Sequence, residues 1–89
     1  MKAFQMKDDE NRIYFRNYER KPAEEELTTL VKELEAEGCQ VSIKKAMGLE
    51  DIYEGSKEGM RFRIIFTGEE SFIYSESKET IENILKIFE

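Results

Sequence analysis

The feature that most constrains the fold is an alternation of apolar and polar side chains between residues 60 and 66, interrupted only by the apolar Ile65. Apolar side chains occupy every second position, at Met60, Phe62, Ile64 and Phe66. A period of two is typical of a β-strand that buries one face and exposes the other. The segment therefore predicts a strand in a sheet that other elements cover on one face only.

Four further segments predict strands. Residues 2–7 and 12–18 flank a polar turn, which is typical of a β-hairpin. Residues 39–45 alternate in the same way, and residues 72–75 return after a Gly-Glu-Glu turn as the partner of the strand at 60–66. Together these segments predict a mostly antiparallel sheet.

Two segments have the period of an α-helix. Residues 22–37 begin with a proline, which suits a first helical turn, and three glutamates follow it at the positive end of the helix dipole. Gly38 is placed to end this helix. Ser77 is placed to cap a second helix whose apolar stripe includes Ile81 and Ile84.

Residues 46–59 contain three glycines and no sustained period, so we expect a long loop there. The resulting order, ββ-α-βββ-α, predicts an α+β fold. We expect a two-layer sandwich in which both helices cover one face of the sheet. A chain of 89 residues is expected to form a single domain, residues 1–89.

The composition argues against catalysis. The chain has no His and one Cys, which removes the usual general base and the Cys and His ligands of a zinc site. Glu50, Asp51 and Glu54 do not have the spacing of a calcium-binding EF-hand loop. We therefore expect a protein that is not an enzyme and that uses no metal or cofactor.

The same composition bears on the compartment. A single cysteine rules out an intrachain disulfide and is typical of a reducing environment. No apolar run reaches the roughly 18 residues of a transmembrane helix, and the first residues lack the apolar region of a signal peptide. We expect a cytoplasmic protein with no membrane partner.

The net charge of −6 is unevenly distributed along the chain. Residues 22–38 carry six acids and one base, and residues 46–59 carry four acids and one base. Residues 39–45 and 60–68 each carry two bases and no acid. The predicted strands are thus basic, whereas the predicted helices and the long loop are acidic.

The first functional hypothesis is a protein–protein interaction made by acidic loops. Clustered carboxylates on a small rigid domain can imitate a phosphate backbone and occupy a basic site on a partner protein. The candidate partner-binding residues in the long loop and the turn are Glu50, Asp51, Ile52, Tyr53, Glu54, Glu69 and Glu70. Among them, Ile52 and Tyr53 would be the apolar anchors.

The last third of the chain resembles a known family. The resemblance rests on Phe62-Arg63-Ile64-Ile65, Gly68, Phe72-Ile73-Tyr74-Ser75-Glu76-Ser77, Glu79-Thr80-Ile81 and Phe88. In this order they are similar to the hairpin-and-helix half of small acidic anti-CRISPR proteins of phages, which inhibit Cas9 by mimicking DNA. The resemblance implies an inhibitor of a CRISPR effector nuclease in which Glu69 and Glu70 take the place of phosphates.

The second hypothesis is a nucleic-acid-binding module that uses the sheet face left open by the helices. Basic and aromatic side chains on an open sheet stack bases and hold phosphates in several folds. The candidate residues are Tyr14, Arg16, Lys44, Arg61 and Arg63, with Tyr18 nearby. The acidic net charge argues against direct nucleic-acid binding, which therefore ranks second. A third hypothesis is a structural homodimer that pairs sheet faces or edges.

Overall fold

A computed structural model describes the backbone of residues 1–89 and the side chains of all residues except 43–47. The elements in chain order are β1 (Lys2–Phe4), β2 (Arg12–Arg16), α1 (Ala23–Ala36), β3 (Gln40–Met47), β4 (Glu50–Lys57), β5 (Met60–Phe66), β6 (Ser71–Tyr74) and α2 (Lys78–Leu85). A short 3-10 turn, Lys86–Phe88, follows α2. The predicted α+β class is confirmed.

All six strands form one antiparallel sheet in the order β1-β2-β6-β5-β4-β3. The N-terminal hairpin joins the rest of the sheet through β2, which pairs with β6 near the other end of the chain. The predicted order of strands and helices is confirmed, with one strand more than expected. The first two strands are shorter than the predicted segments 2–7 and 12–18.

The additional strand is β4, and the prediction of a long loop over residues 46–59 is wrong. β4 pairs with both β3 and β5 along its length. Two of the three glycines that suggested a loop are at the hairpin turns beside it, Gly48 with φ +65° and Gly59 with φ +84°. The third, Gly55, lies within the strand opposite Phe62. The glycines thus belong to a tightly turned meander.

The end of α1 and the start of α2 are as the sequence predicts, whereas Pro22 is the N-cap of α1 and precedes its first turn. Gly38 has φ +90°, and the backbone N–H groups of Gly38 and Cys39 donate to the carbonyls of Glu35 and Leu34, each at 3.0 Å. This is a Schellman motif, which a left-handed glycine favours. At the start of α2, the Ser77 hydroxyl accepts a hydrogen bond from the Thr80 N–H at 3.2 Å.

The core lies between the helices and one face of the sheet. Five strand and helix elements contribute fully buried side chains, which include Ile13, Leu30, Ile64, Ile73 and Ile84. Register places Ile64 beside Ile73, and Ile73 beside Ile13, so these three share one face. Every strand residue in the buried cluster belongs to that face. Among the described side chains, the opposite face contributes none to the core.

Candidate functional site

The candidate site is the sheet face that points away from both helices, which we call the open face. Because side chains alternate between the two faces along each strand, the pairing of the strands shows which residues lie on the open face. The described members on β1, β2 and β6 are Lys2, Phe4, Arg12, Tyr14, Arg16, Phe72 and Tyr74. Those on β5 and β4 are Arg61, Arg63, Ile65, Glu50, Ile52, Glu54 and Ser56.

Aromatic rings form a row across three neighbouring strands of this face. Phe4 is the register partner of Tyr14, and their ring centroids are 5.8 Å apart. Tyr14 in turn lies 5.5 Å from the Phe72 ring. All three side chains are half-buried. Ile65, the partner of Phe72, extends the row as an aliphatic side chain. The open face is therefore apolar along its middle although no helix covers it.

Guanidinium groups lie over these rings. The Arg16 guanidinium carbon is 4.5 Å from the centroid of the Phe4 ring. Arg12 lies 5.2 Å from the Tyr74 ring centroid and 6.0 Å from that of Phe72. Such cation–π contacts hold a long side chain flat against the sheet while its N–H groups still reach solvent. The arginines are thus partly ordered before any ligand arrives.

A loop carboxylate anchors the centre of the aromatic row. Asp9 accepts from the Tyr14 hydroxyl and from Arg12 Nη1, each at 3.4 Å. Burial raises the pKa of Tyr14 above its usual value, the Asp9 charge raises it further, and Arg12 opposes the increase. Tyr14 therefore stays neutral at physiological pH. Its hydroxyl donates to Asp9, so a ligand on the open face would contact the Tyr14 ring and not its hydroxyl proton.

The charge of the open face differs in sign from that of the whole chain. Five described cations (Lys2, Arg12, Arg16, Arg61 and Arg63) share this face with two acids, Glu50 and Glu54, and the charges of two flanking acids, Asp9 and Glu70, also act on Tyr14. The whole chain has a net charge of −6. A shallow groove lined in part by Arg61, Arg63 and Tyr74 begins at this face and extends around the sheet end to Phe62 and Thr80. The face thus combines local positive charge, apolar rings and a concave border.

The residues of the nucleic-acid hypothesis are mostly brought together here. Tyr14, Arg16, Arg61 and Arg63 all lie on the open face. Tyr18 lies beyond the end of β2 and is 74% exposed. The side chain of Lys44 is outside the described residues.

Sequence reasoning missed four aromatic and arginine members of the face, Phe4, Arg12, Phe72 and Tyr74. Alternation within β2 was a sufficient signal for Arg12, because it shares the parity of Tyr14 and Arg16. The adjacency of Tyr14 and Phe72 had no such signal, since it depends on the pairing of β2 with β6.

The residues of the acidic-loop hypothesis are divided between the two faces of β4. Asp51 and Tyr53 point to the helix side, where Tyr53 packs against the core. Ile52 and Glu54 point to the open face, and Glu54 accepts a hydrogen bond from Arg63 Nε at 3.0 Å. The loop that was expected to present them together is a strand, so alternation separates them.

Acids do gather at one end of the sheet. Glu50 and Asp51 begin β4, beside the turn that carries Glu69 and Glu70 after β5. Burial raises the pKa of Glu26, a buried carboxyl in the first turn of α1, and the charge of Glu70 raises it further. This end of the molecule is therefore a site of like-charge repulsion.

Other kinds of site have less support in the structure. Among the described residues, no group of three or more His, Cys, Asp and Glu side chains is placed to hold a metal ion. Cys39 is buried, as its alternation predicts, and burial raises the pKa of its thiol. None of the described helices has the length and apolar character needed to cross a membrane.

Comparisons with protein-family models, with curated proteins and with solved structures found no match to this chain. The resemblance of residues 62–88 to phage inhibitors of Cas9 therefore stays a prediction. The geometry of the open face is the observation that bears most directly on function.

Proposed function

We propose that this protein is a non-enzymatic binding module that holds single-stranded nucleic acid on its open face. The observation that carries the proposal is the row of Phe4, Tyr14 and Phe72, bordered by Arg12 and Arg16 on a face without helical cover. Unpaired bases stack on aromatic rings, and arginine binds phosphate while it stacks on the same rings. A duplex hides its base faces and cannot use such a row.

Energetics favour a polyanion over a second copy of the chain. In a twofold pairing of open faces, the local surplus of positive charge on each face would oppose that on the other, and like charges across an interface are destabilising. A phosphate backbone neutralises the same groups. Stacking contributes about 1–3 kcal/mol per base in single-strand sites. Two or three stacked bases would contribute roughly 2–9 kcal/mol, so phosphate contacts are needed for micromolar binding over most of that range.

The acidic net charge sets the strength of binding. The surplus of acids lies on the helices and at the sheet end, where the Glu70 charge reaches Tyr14, and it repels a polyanion. We expect dissociation constants of about 1–100 µM, within the range of binding without sequence specificity. Affinity should fall as salt is added, because phosphate contacts release counterions.

Fluorescence polarisation with a labelled single strand of about 15 nucleotides tests the proposal at low salt. Arg16→Gln removes the guanidinium over Phe4 and should weaken binding about three- to tenfold. Lys32→Gln is the matched control, because it removes the same charge from an exposed position on α1. At this low salt it should weaken binding by less than about twofold, the effect expected of one remote charge.

Two results would contradict the proposal. One is the absence of saturable binding by the native chain at an ionic strength of about 10 mM, where electrostatic attraction is least screened. The other is an equal loss in both variants, which would assign binding to net charge and not to the open face. Equal competition by polyglutamate of the same length would identify the face as a site for acidic peptides.

A second candidate function is the acidic mimic, which one observation favours. Glu10 and Glu33 are ion-paired, whereas among the described residues neither Glu69 nor Glu70 has a cationic partner. Free carboxylates beside one another can occupy a basic nucleic-acid site on a partner, such as the CRISPR effector that the sequence resemblance implies.

Inhibition of DNA cleavage by a Cas9–guide complex separates the two candidates. The mimic predicts inhibition by the native chain, a large loss in Glu69→Gln/Glu70→Gln, and no loss in Arg16→Gln. Absence of inhibition by the native chain would exclude this effector as the partner. The single-strand binding assay would then stand as the test of the first candidate.

A further inference from the structure

The spacing of the aromatic row suggests which single strands the open face would prefer. Ring centroids are 5.8 Å apart from Phe4 to Tyr14 and 5.5 Å apart from Tyr14 to Phe72. The ring planes are inclined by 31° and 35°. Bases stacked on one another within a strand are only about 3.4 Å apart. Neighbouring bases therefore cannot each contact their own ring and remain stacked together.

The cost of separating the bases depends on what the bases are. Unstacking a base step costs up to a few kcal/mol. Purine runs, with large faces, stack on themselves most strongly, whereas pyrimidine runs are flexible and weakly stacked. Preferences among single strands generally follow stacking strength and backbone flexibility in this way. A row of rings that binds unstacked bases should prefer the single strand whose bases cost the least free energy to unstack.

Hydrogen bonds to base edges have little opportunity to override this preference. The Tyr14 hydroxyl donates to Asp9, and Arg12 also contacts that carboxylate. Arg16 lies over Phe4, where its guanidinium is suited to a phosphate. The spacing of the rings is therefore the main feature of the row that can distinguish one base sequence from another.

We infer that the open face prefers pyrimidine-rich single strands, with bases spread along the row of Phe4, Tyr14 and Phe72. A base on Phe4 takes the place of the Arg16 guanidinium, which then turns to a phosphate. This inference rests on the proposed function and specifies its ligand. The bound nucleic acid would cross the sheet perpendicular to the β-strands, from β1 over β2 to β6, because the three rings follow that direction. Arg12 and Arg16 flank the central ring on the same strand and border the phosphate path on either side.

The test compares three labelled probes of equal length with the native chain: oligo-dT, oligo-dA and an abasic deoxyribose-phosphate strand. We expect oligo-dT to bind about tenfold more tightly than oligo-dA, and the abasic strand to bind most weakly. Equal affinity for oligo-dT and oligo-dA, or tighter binding of oligo-dA, would overturn the inference and leave the proposed function intact. No binding of any probe would overturn both.

A variant then assigns the preference to the row. Phe72→Leu keeps an apolar side chain and removes one ring, so the ratio of the two affinities should fall towards one. Ile65→Leu, at the next position of the same row, is the control and should retain the ratio. Retention of the full preference in a folded Phe72→Leu protein would contradict the assignment. The three-probe comparison needs no variant and decides the inference if Phe72→Leu does not fold.

Discussion

At the scale of single residues, Asp9 stands out because it serves two members of the open face at once. Its carboxylate contacts the Tyr14 hydroxyl and Arg12, and it is only 22% exposed at its side chain. The contact orders both side chains. It also places a negative charge where the proposed ligand would bring a phosphate. These two effects have opposite signs for binding, and the charge acts over the longer distance.

Asp9→Asn separates the ordering of Tyr14 and Arg12 from the repulsion of a phosphate. The amide oxygen can still accept from Tyr14 and Arg12, but the charge is gone. We expect the affinity for a single strand to rise roughly threefold, the scale of one partly exposed charge pair. The pKa of Tyr14 should fall and yet stay above its usual value, because burial remains the larger cause. Absorbance titration of tyrosinate measures the pKa, and polarisation measures the affinity.

Asp8→Asn is the control for this prediction. Asp8 lies next to Asp9 with φ +69°, a conformation that Asn also adopts readily. It removes the same charge one residue away from the contacts with Tyr14 and Arg12. A decrease in affinity in Asp9→Asn would show that ordering of the arginine outweighs repulsion of the phosphate.

Glu26 provides a pH-dependent prediction at the same scale. Its pKa lies above the ordinary value of 4.5 because burial, and then the charge of Glu70, disfavour the ionised form. A carboxyl with a raised pKa stabilises the fold fully below its unfolded pKa. That contribution is lost as pH rises through the folded pKa, so ionised Glu26 is a cost at pH 7. The helix dipole favours this charge by less than burial and Glu70 oppose it.

Glu26→Gln should therefore raise the melting temperature at pH 7 by a few degrees and give a smaller gain near pH 4. Glu25→Gln, at an exposed position in the same turn, removes an equal formal charge and should give little change. Thermal unfolding at the two pH values tests both. A loss of stability at pH 7, or an equal gain at both pH values, would contradict the explanation.

At the scale of elements, β4 depends on one glycine. A Cβ atom built at Gly55 would lie 2.2 Å from the Phe62 ring, and Phe62 is only 2% exposed. The ring therefore packs directly over the backbone of the neighbouring strand. Because Phe62 is fully enclosed, it has no free space into which it can move.

Gly55→Ala should lower the free energy of unfolding by about 1–3 kcal/mol, as overpacking of a core does. Chemical denaturation measures the loss. In a Phe62→Leu background the same substitution should cost less, because the shorter side chain leaves space for the methyl group. Equal costs in the two backgrounds would contradict the steric explanation and point instead to the strand backbone.

The same strand shows what the sequence could and could not predict. Alternation was sufficient to predict β5 and to place Ile13 and Tyr14 on opposite faces of the sheet, because apolar side chains recur at every second position there. In β4 the core-side positions include Asp51 and Gly55, so the apolar period is lost. Asp51 is tolerated there because it lies at the end of the sheet, and Gly55 is required there because the Phe62 ring packs over it. Both reasons are tertiary contacts, which a local sequence pattern does not contain. The pairing of β2 with β6 likewise depends on contacts that no local pattern encodes.

At the scale of the whole molecule, opposite charges are separated by very little distance. The chain measures 29 × 27 × 27 Å along its principal axes. Screening reduces interactions beyond about 10 Å at 0.1 M salt and beyond about 30 Å at 0.01 M. At low salt a bound polyanion therefore senses the acids on the helices as well as the arginines of the open face. At higher salt it senses the open face alone.

This difference predicts how remote acids affect binding. Glu35 on α1 and Glu82 on α2 are exposed on the helix layer, across the sheet from the open face. Glu35→Gln/Glu82→Gln should increase the affinity for a single strand about two- to threefold near 0.01 M salt and leave it unchanged near 0.1 M. Arg16→Gln should weaken binding at both concentrations, because Arg16 is expected to contact the ligand directly. An equal effect of the glutamate variant at both concentrations would mean that the strand reaches the helix layer, and the open face would not be the binding surface.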